Sequence, residues 1–218
     1  MHFEIQSNKE RIERLDMTKV QITRGYGILE NYLSKKRYAI ANRLIPFSLR
    51  KGRIFDIGCG TFPRFLYSTS FAEKYGLDQV VSASNRFTKE KIYIQEFNLG
   101  SNTKLPFEDG FFDVVTMLAL IEHLEYDTEA NLLGEVYRIL RPDGVSILTT
   151  PAKWVNILLK SMAWFRLVSP REIAEHKYLY DPHKILEIFE LNNFREENIE
   201  NGFFEMRMNI WARATKTT

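Results

Sequence analysis

Little in this chain speaks for a metal, a disulfide or a membrane span. One cysteine, Cys59, stands among 218 residues, so no intramolecular disulfide framework can form. The C-x-x-C spacing of a zinc site is missing as well, and no metal is expected. No apolar run approaches the ~20 residues that a spanning helix needs. Charge of one sign is equally scarce, with 30 Lys and Arg against 28 Asp and Glu for a net +2. Acids and bases are interspersed, and the longest basic cluster is Lys35-Lys36-Arg37. The chain therefore lacks the electrostatic footprint of a nucleic-acid binder, and no nucleic acid is expected as partner. No repeat or Gly/Ser-rich linker divides it, and 44% hydrophobic residues suffice for the core of one domain. The first residues are charged without an apolar centre, unlike a secretory signal. A cytoplasmic single-domain protein is the expectation, with its oligomeric state left open.

What is present is concentrated in one run, Ile54-Phe55-Asp56-Ile57-Gly58-Cys59-Gly60-Thr61-Phe62-Pro63. An apolar strand stops on an acid and gives way to two glycines, which tolerate positive φ and let a ligand lie against bare backbone. Asp56 falls at the carboxyl end of the strand, where open α/β sheets bind ligands. Its charge suits a cationic amine better than a phosphate. A dinucleotide fingerprint would need glycine at position 63; Pro63 has no N–H to offer a phosphate, though it suits the first turn of a helix. The run resembles motif I of the class I S-adenosylmethionine-dependent methyltransferases. Phe62 departs from it, since many members carry a third glycine there.

The rest of the chain alternates strand and helix. Ile28, Leu29, Tyr32, Leu33, Ile40, Leu44 and Ile45 recur at helical spacing and predict a helix over 27–45. A crossover helix is expected over 63–74, then strands over 75–78 and 91–97. The nearly continuous apolar run at 111–118 suits a central parallel strand covered on both faces. An amphipathic helix over 128–140 stops at Arg141-Pro142-Asp143-Gly144 before a strand over 145–150. Asp181-Pro182 reads as an N-cap with proline in the first turn, opening a helix that ends near Asn192-Asn193. Two strands, 194–200 and 206–214, are expected around Asn201-Gly202.

Two further stretches carry the resemblance. Leu105-Pro106-Phe107-Glu108-Asp109-Gly110-Phe111-Phe112-Asp113-Val114-Val115 is similar to the signature before strand four of small-molecule methyltransferases. Leu140-Arg141-Pro142-Asp143-Gly144 is similar to their turn before strand five. The order implies a doubly wound, mostly parallel, seven-stranded Rossmann-like α/β sheet ending in an antiparallel strand pair. Residues 1–50 would form an N-terminal helical cap, 51–150 the cofactor-binding half and 151–218 the acceptor-side half.

The resemblance also implies roles. S-adenosylmethionine would be held by Asp56, Gly58, Cys59 and Gly60, and by Asp78 at the end of strand two, whose carboxylate can accept both ribose hydroxyls. Asn98 and Leu99 fall where the family contacts adenine, and Met117 would line the methionine end. Cys59 reads as a small loop residue, since nothing nearby would activate its thiol. His123, in Ile121-Glu122-His123-Leu124, would stand near the methyl group as a general base or would merely organise the turn. Glu175-His176 is a second candidate pair, with a solvated loop as its alternative. The Asn/Asp-Pro-Pro-aromatic motif of amino-methylating nucleic-acid enzymes is absent after strand four, as is the cysteine of C5-pyrimidine enzymes.

The implied activity is methyl transfer to a small molecule or a glycan or lipid intermediate, with oxygen favoured over nitrogen or carbon. The alternative is a non-catalytic S-adenosylmethionine-binding scaffold or activator of a partner enzyme. Residues 154–168, rich in Trp154, Leu158, Leu159, Trp164, Phe165 and Leu167, would cover the acceptor. Membrane contact through them is the less favoured alternative.

Overall fold

Every second residue of a strand faces the same side, and that alternation assigns the core of this protein to two layers. The structure is a computed structural model describing residues 28–79, 91–100, 104–155 and 179–217. Its strands are β1 (Arg53–Ile57), β2 (Glu73–Asp78), β3 (Ile92–Glu96), β4 (Phe112–Leu118), β5 (Leu140–Pro151), β6 (Ile199–Phe204) and β7 (Asn209–Thr215). They form one seven-stranded sheet in the order β3-β2-β1-β4-β5-β7-β6. β1 to β5 run parallel, and β7 lies antiparallel between β5 and β6. This is the doubly wound sheet that the resemblance implies, with the antiparallel terminal pair.

Four α-helices flank the sheet among the described residues: α1 (Ile28–Leu44), α2 (Arg64–Ser68), α3 (Tyr126–Ile139) and α4 (Pro182–Glu190). On one face Ile54, Val114 and Ile147 pack with Ala41 of α1 and with Phe65 and Leu66 of α2. On the other, Phe55, Ile57, Val115, Met117 and Leu148 pack with Leu133 and Val136 of α3 and with Ile185 and Phe189 of α4. No helix among the described residues is long and apolar enough to cross a membrane. No group of side chains among them could hold a metal ion.

The stretch before β4 is latched onto α3. Arg138 donates to the carbonyls of Leu105 and Phe107 at 3.1 and 2.8 Å and to Asp109 at 2.7 Å. Glu135 accepts the Leu105 N–H at 2.7 Å. Pinned in this way, Phe107 packs edge-on against Phe55 and Phe112. Asp181 caps α4 as expected, its carboxylate accepting the Lys184 N–H at 2.9 Å.

Three expectations are corrected. The crossover helix shrinks from 63–74 to Arg64–Ser68. Ser68 turns its hydroxyl back to the Phe65 carbonyl, Thr69 is extended and held by Arg50, and β2 already begins at Glu73. The fifth strand starts at Leu140 rather than 145; Arg141–Gly144 forms an irregularity where the β4–β5 register shifts, with Asp143 at φ 62°. Asn201-Gly202 is not a turn but lies inside β6, where a Cβ on Gly202 would fall 2.9 Å from the Trp211 ring. The reversal comes at Glu205, Met206 and Arg207, three consecutive residues with φ of 51°, 52° and 68°.

Candidate functional site

The parallel strands end together at one edge of the sheet, and the turn leaving β1 lies there beside the end of β2. The N–H groups of Gly58 and Cys59 both donate to the Leu77 carbonyl, at 2.7 and 3.1 Å. Gly58 and Gly60 each adopt φ 75°, a left-handed conformation that favours glycine. A Cβ on Gly58 would lie 2.9 Å from Leu120 Cδ1, so the backbone and the residues after β4 meet at this glycine. Gly60 donates its N–H to Asp78 Oδ2 at 2.9 Å. The two-glycine turn is thus held between the ends of β1, β2 and β4.

Asp56 faces the layer covered by α1 and α2 and is 3% exposed. Its register partner on β4 is Thr116, whose hydroxyl donates to Asp56 Oδ1 at 2.6 Å. Burial pushes the Asp56 carboxyl up to about 7; the Thr116 hydrogen bond opposes this and the Asp78 charge adds to it. Cys59 is buried beside the same acids, and burial first, then Asp56 and Asp78, push its thiol well above its ordinary value. A thiol held protonated is no nucleophile, which fits a small loop residue. Tyr38 of α1 packs against Phe65 of α2 at 5.7 Å. Burial raises the Tyr38 hydroxyl, as does Asp56, while Arg37 and Arg64 pull it down.

The remaining expected residues take different places. Asp78 and Asn98 stand at neighbouring strand ends, joined through Gln79, whose amide donates to Asn98 Oδ1 at 3.4 Å. Leu99 packs partly buried against the core. Met117 is fully buried beside Ile57, so its side chain is a core element and its backbone is what it presents at the strand end. His123 is half-buried in the single 3₁₀ turn Ile121–His123, its N–H donating to the Leu120 carbonyl at 3.0 Å. That turn starts one residue after Leu120, the side chain that meets Gly58. Phe62, in place of a third glycine, stacks on Tyr67 at 5.2 Å.

Sequence reading missed Thr116, Tyr38 and Leu120. For Thr116 a signal existed: it is the single hydroxyl inside the apolar run before position 118, and a buried hydroxyl needs a partner. Tyr180 was missed too. It is 1% exposed, and its hydroxyl donates to Glu129 and lies 3.3 Å from the Ile121 carbonyl. Beyond Tyr180 a hollow of about 530 Å³ is lined by Ala152, Trp154, Leu179, Pro182, Phe203 and Ile210 among others. The expected cover over 154–168 and the Glu175-His176 pair fall largely or wholly in 156–178, outside the described residues.

Comparison with known proteins agrees with the fold. A family described as a methyltransferase domain matches residues 55–148. A probable S-adenosylmethionine-dependent methyltransferase of Mycolicibacterium smegmatis is 30% identical over 125 residues, covering 56% of this chain and 46% of that protein. A tRNA N(3)-methylcytidine methyltransferase of Drosophila melanogaster is 25% identical over 141 residues, covering 55% of this chain and 43% of that protein. The chain thus spans less than half the length of these curated relatives. The solved structure of an S-adenosylmethionine-dependent methyltransferase from Archaeoglobus fulgidus superposes with a TM-score of 0.63 at 18% identity, covering 84% of this chain and 94% of that one.

Proposed function

We propose that this chain, which carries a class I S-adenosylmethionine-dependent methyltransferase domain, transfers a methyl group from S-adenosylmethionine to a small-molecule acceptor. The observation that carries the proposal is the turn Gly58–Gly60, with both glycines at φ 75° and Asp56 and Asp78 on either flank. Bare backbone gives room for a nucleoside, and the two carboxylates suit a ligand with hydroxyl donors at one end and an ammonium at the other. Asp56, Gly58, Cys59, Gly60, Asp78, Asn98, Leu99 and the Met117 backbone would hold it. When bound, S-adenosylmethionine supplies an electrophilic methyl group on a sulfonium.

The chain's own task is to position the acceptor, exclude water and accept a proton. Alignment of this kind is worth up to ~7–11 kcal/mol. His123, one turn from the residue that meets Gly58, is the proposed base for a hydroxyl acceptor. Apolar lining of the hollow beyond Tyr180 supports a small, partly apolar acceptor. The tRNA-modifying relative makes nucleic acid the competing class, because weak overall charge does not set it aside in a protein related to such an enzyme.

One experiment addresses both. S-adenosylmethionine carrying a labelled methyl group is incubated with the protein and either a metabolite extract or total tRNA. Label in a small metabolite supports the proposal, whereas label in tRNA alone overturns the acceptor class. Cofactor binding with no transfer to any acceptor supports the scaffold alternative. On the acceptor so found, His123→Ala lowers turnover by ~10²–10⁴-fold with little change in cofactor affinity. Unchanged turnover leaves His123 as a turn former.

A further inference from the structure

Asp56 is almost wholly buried on the edge where the cofactor is proposed to bind, at 3% exposure. It shares this position with Asp78, across a turn of three residues, and the two charges oppose each other. The groups facing Asp56 come from each neighbouring element: Asp78 from β2, Thr116 from β4, Cys59 from the turn and Tyr38 from α1. Arg37 and Arg64 act on Tyr38. Cys59 and Tyr38 are both held above their ordinary values and stay neutral through pH 8. Burial and the Asp78 charge favour the neutral Asp56 carboxyl in the free protein, and a ligand's ammonium beside it favours the ionised one.

We propose that Asp56 is protonated in the free protein and gives its proton to solvent when the cofactor binds, so that cofactor affinity depends on pH through this one carboxyl group. The proposal rests on the cofactor reading above. The sign follows from linkage: a group that loses a proton on binding makes affinity rise with pH below its free-state pKa and level off above it. Titration of Asp56 in the free protein near pH 7 puts that window between about pH 5.5 and 7. Thr116 sets its position, because the hydroxyl stabilises the ionised form.

Calorimetric titration with S-adenosylhomocysteine from pH 5.5 to 8, in buffers of different ionisation enthalpy, tests this. The dissociation constant is expected to fall by up to about tenfold per pH unit below pH 7 and then flatten. At pH 6 close to one proton is released per ligand bound. Asp56→Asn keeps the acceptor for Thr116 and is expected to abolish both the slope and the proton release. Thr116→Val moves the turning point to higher pH, and it decides the matter if Asp56→Asn does not fold. A pH-independent parent overturns the inference, as does a slope that survives in Asp56→Asn or fails to move in Thr116→Val. Absence of S-adenosylhomocysteine binding at every pH overturns the cofactor reading itself, and the inference with it.

Discussion

Asp78 accepts the Gly60 N–H at 2.9 Å, and the same carboxylate is the one proposed for the ribose hydroxyls, so it both shapes the turn and faces the ligand. Replacing it by alanine removes charge-assisted acceptors and frees the turn. Asp78→Ala is therefore expected to weaken S-adenosylhomocysteine binding by about 1–3 kcal/mol while the fold persists, read by calorimetry beside a thermal melt. Affinity equal to that of the parent would remove the ribose assignment. At this scale the sequence was readable wherever residue type alone imposes geometry. Gly58 and Gly60 are such positions, since left-handed backbone favours glycine. It was unreadable where a role depends on a register partner: Thr116 matters because β4 lies beside β1 with Thr116 opposite Asp56, and spacing along one chain does not reveal that pairing. Met117 shows the reverse, a residue at the expected strand end whose side chain belongs to the core.

Among the elements, α3 carries the most varied set of obligations. Arg138 spends its guanidinium on two backbone carbonyls and two carboxylates, with its side chain 18% exposed. Hydrogen bonds to charged groups contribute roughly 1.5–3 kcal/mol each when largely buried, and the exposed Asp109 contact far less. Arg138→Ala is expected to lower unfolding stability by about 2–4 kcal/mol, measured as a shifted urea midpoint with unchanged slope. Cofactor affinity should hold, because the latch lies before β4 and not at its carboxyl end. An unmoved midpoint would show that the approach to β4 is held by its aromatic packing alone. Long periodic or apolar elements were legible because burial fixes them, on one face for α1, α3 and α4 and on both faces for β4. Short ones were not. α2 ends where Ser68 and Thr69 take other partners, and Asn201-Gly202 carries a turn signal that packing of Gly202 beneath Trp211 overrides.

Over the whole molecule, the two terminal strands complete what the parallel strands leave open. β7 lies between β5 and β6, and Lys216, just beyond it, donates to the carbonyls of Tyr137 and Leu140 at 2.7 Å each. Carbonyls at the end of α3 are thereby capped by a cation from the far end of the fold, a favourable pairing with the helix dipole. Lys216→Met keeps much of the apolar stem and is expected to cost about 1–2 kcal/mol, with amide exchange accelerating in the last turn of α3. Exchange unchanged there would assign the ordering of that turn to packing instead. The position of β7 also has a consequence for synthesis. Residues 53–151 contain all five parallel strands, yet β5 keeps a bare hydrogen-bonding edge until residues 209–215 have been made and have left the ribosome. The nascent chain must carry that adhesive edge through the translation of residues 152–215, more than sixty in all. Crowded, rapid expression therefore penalises this topology, and slow translation or a chaperone that shields β5 favours it.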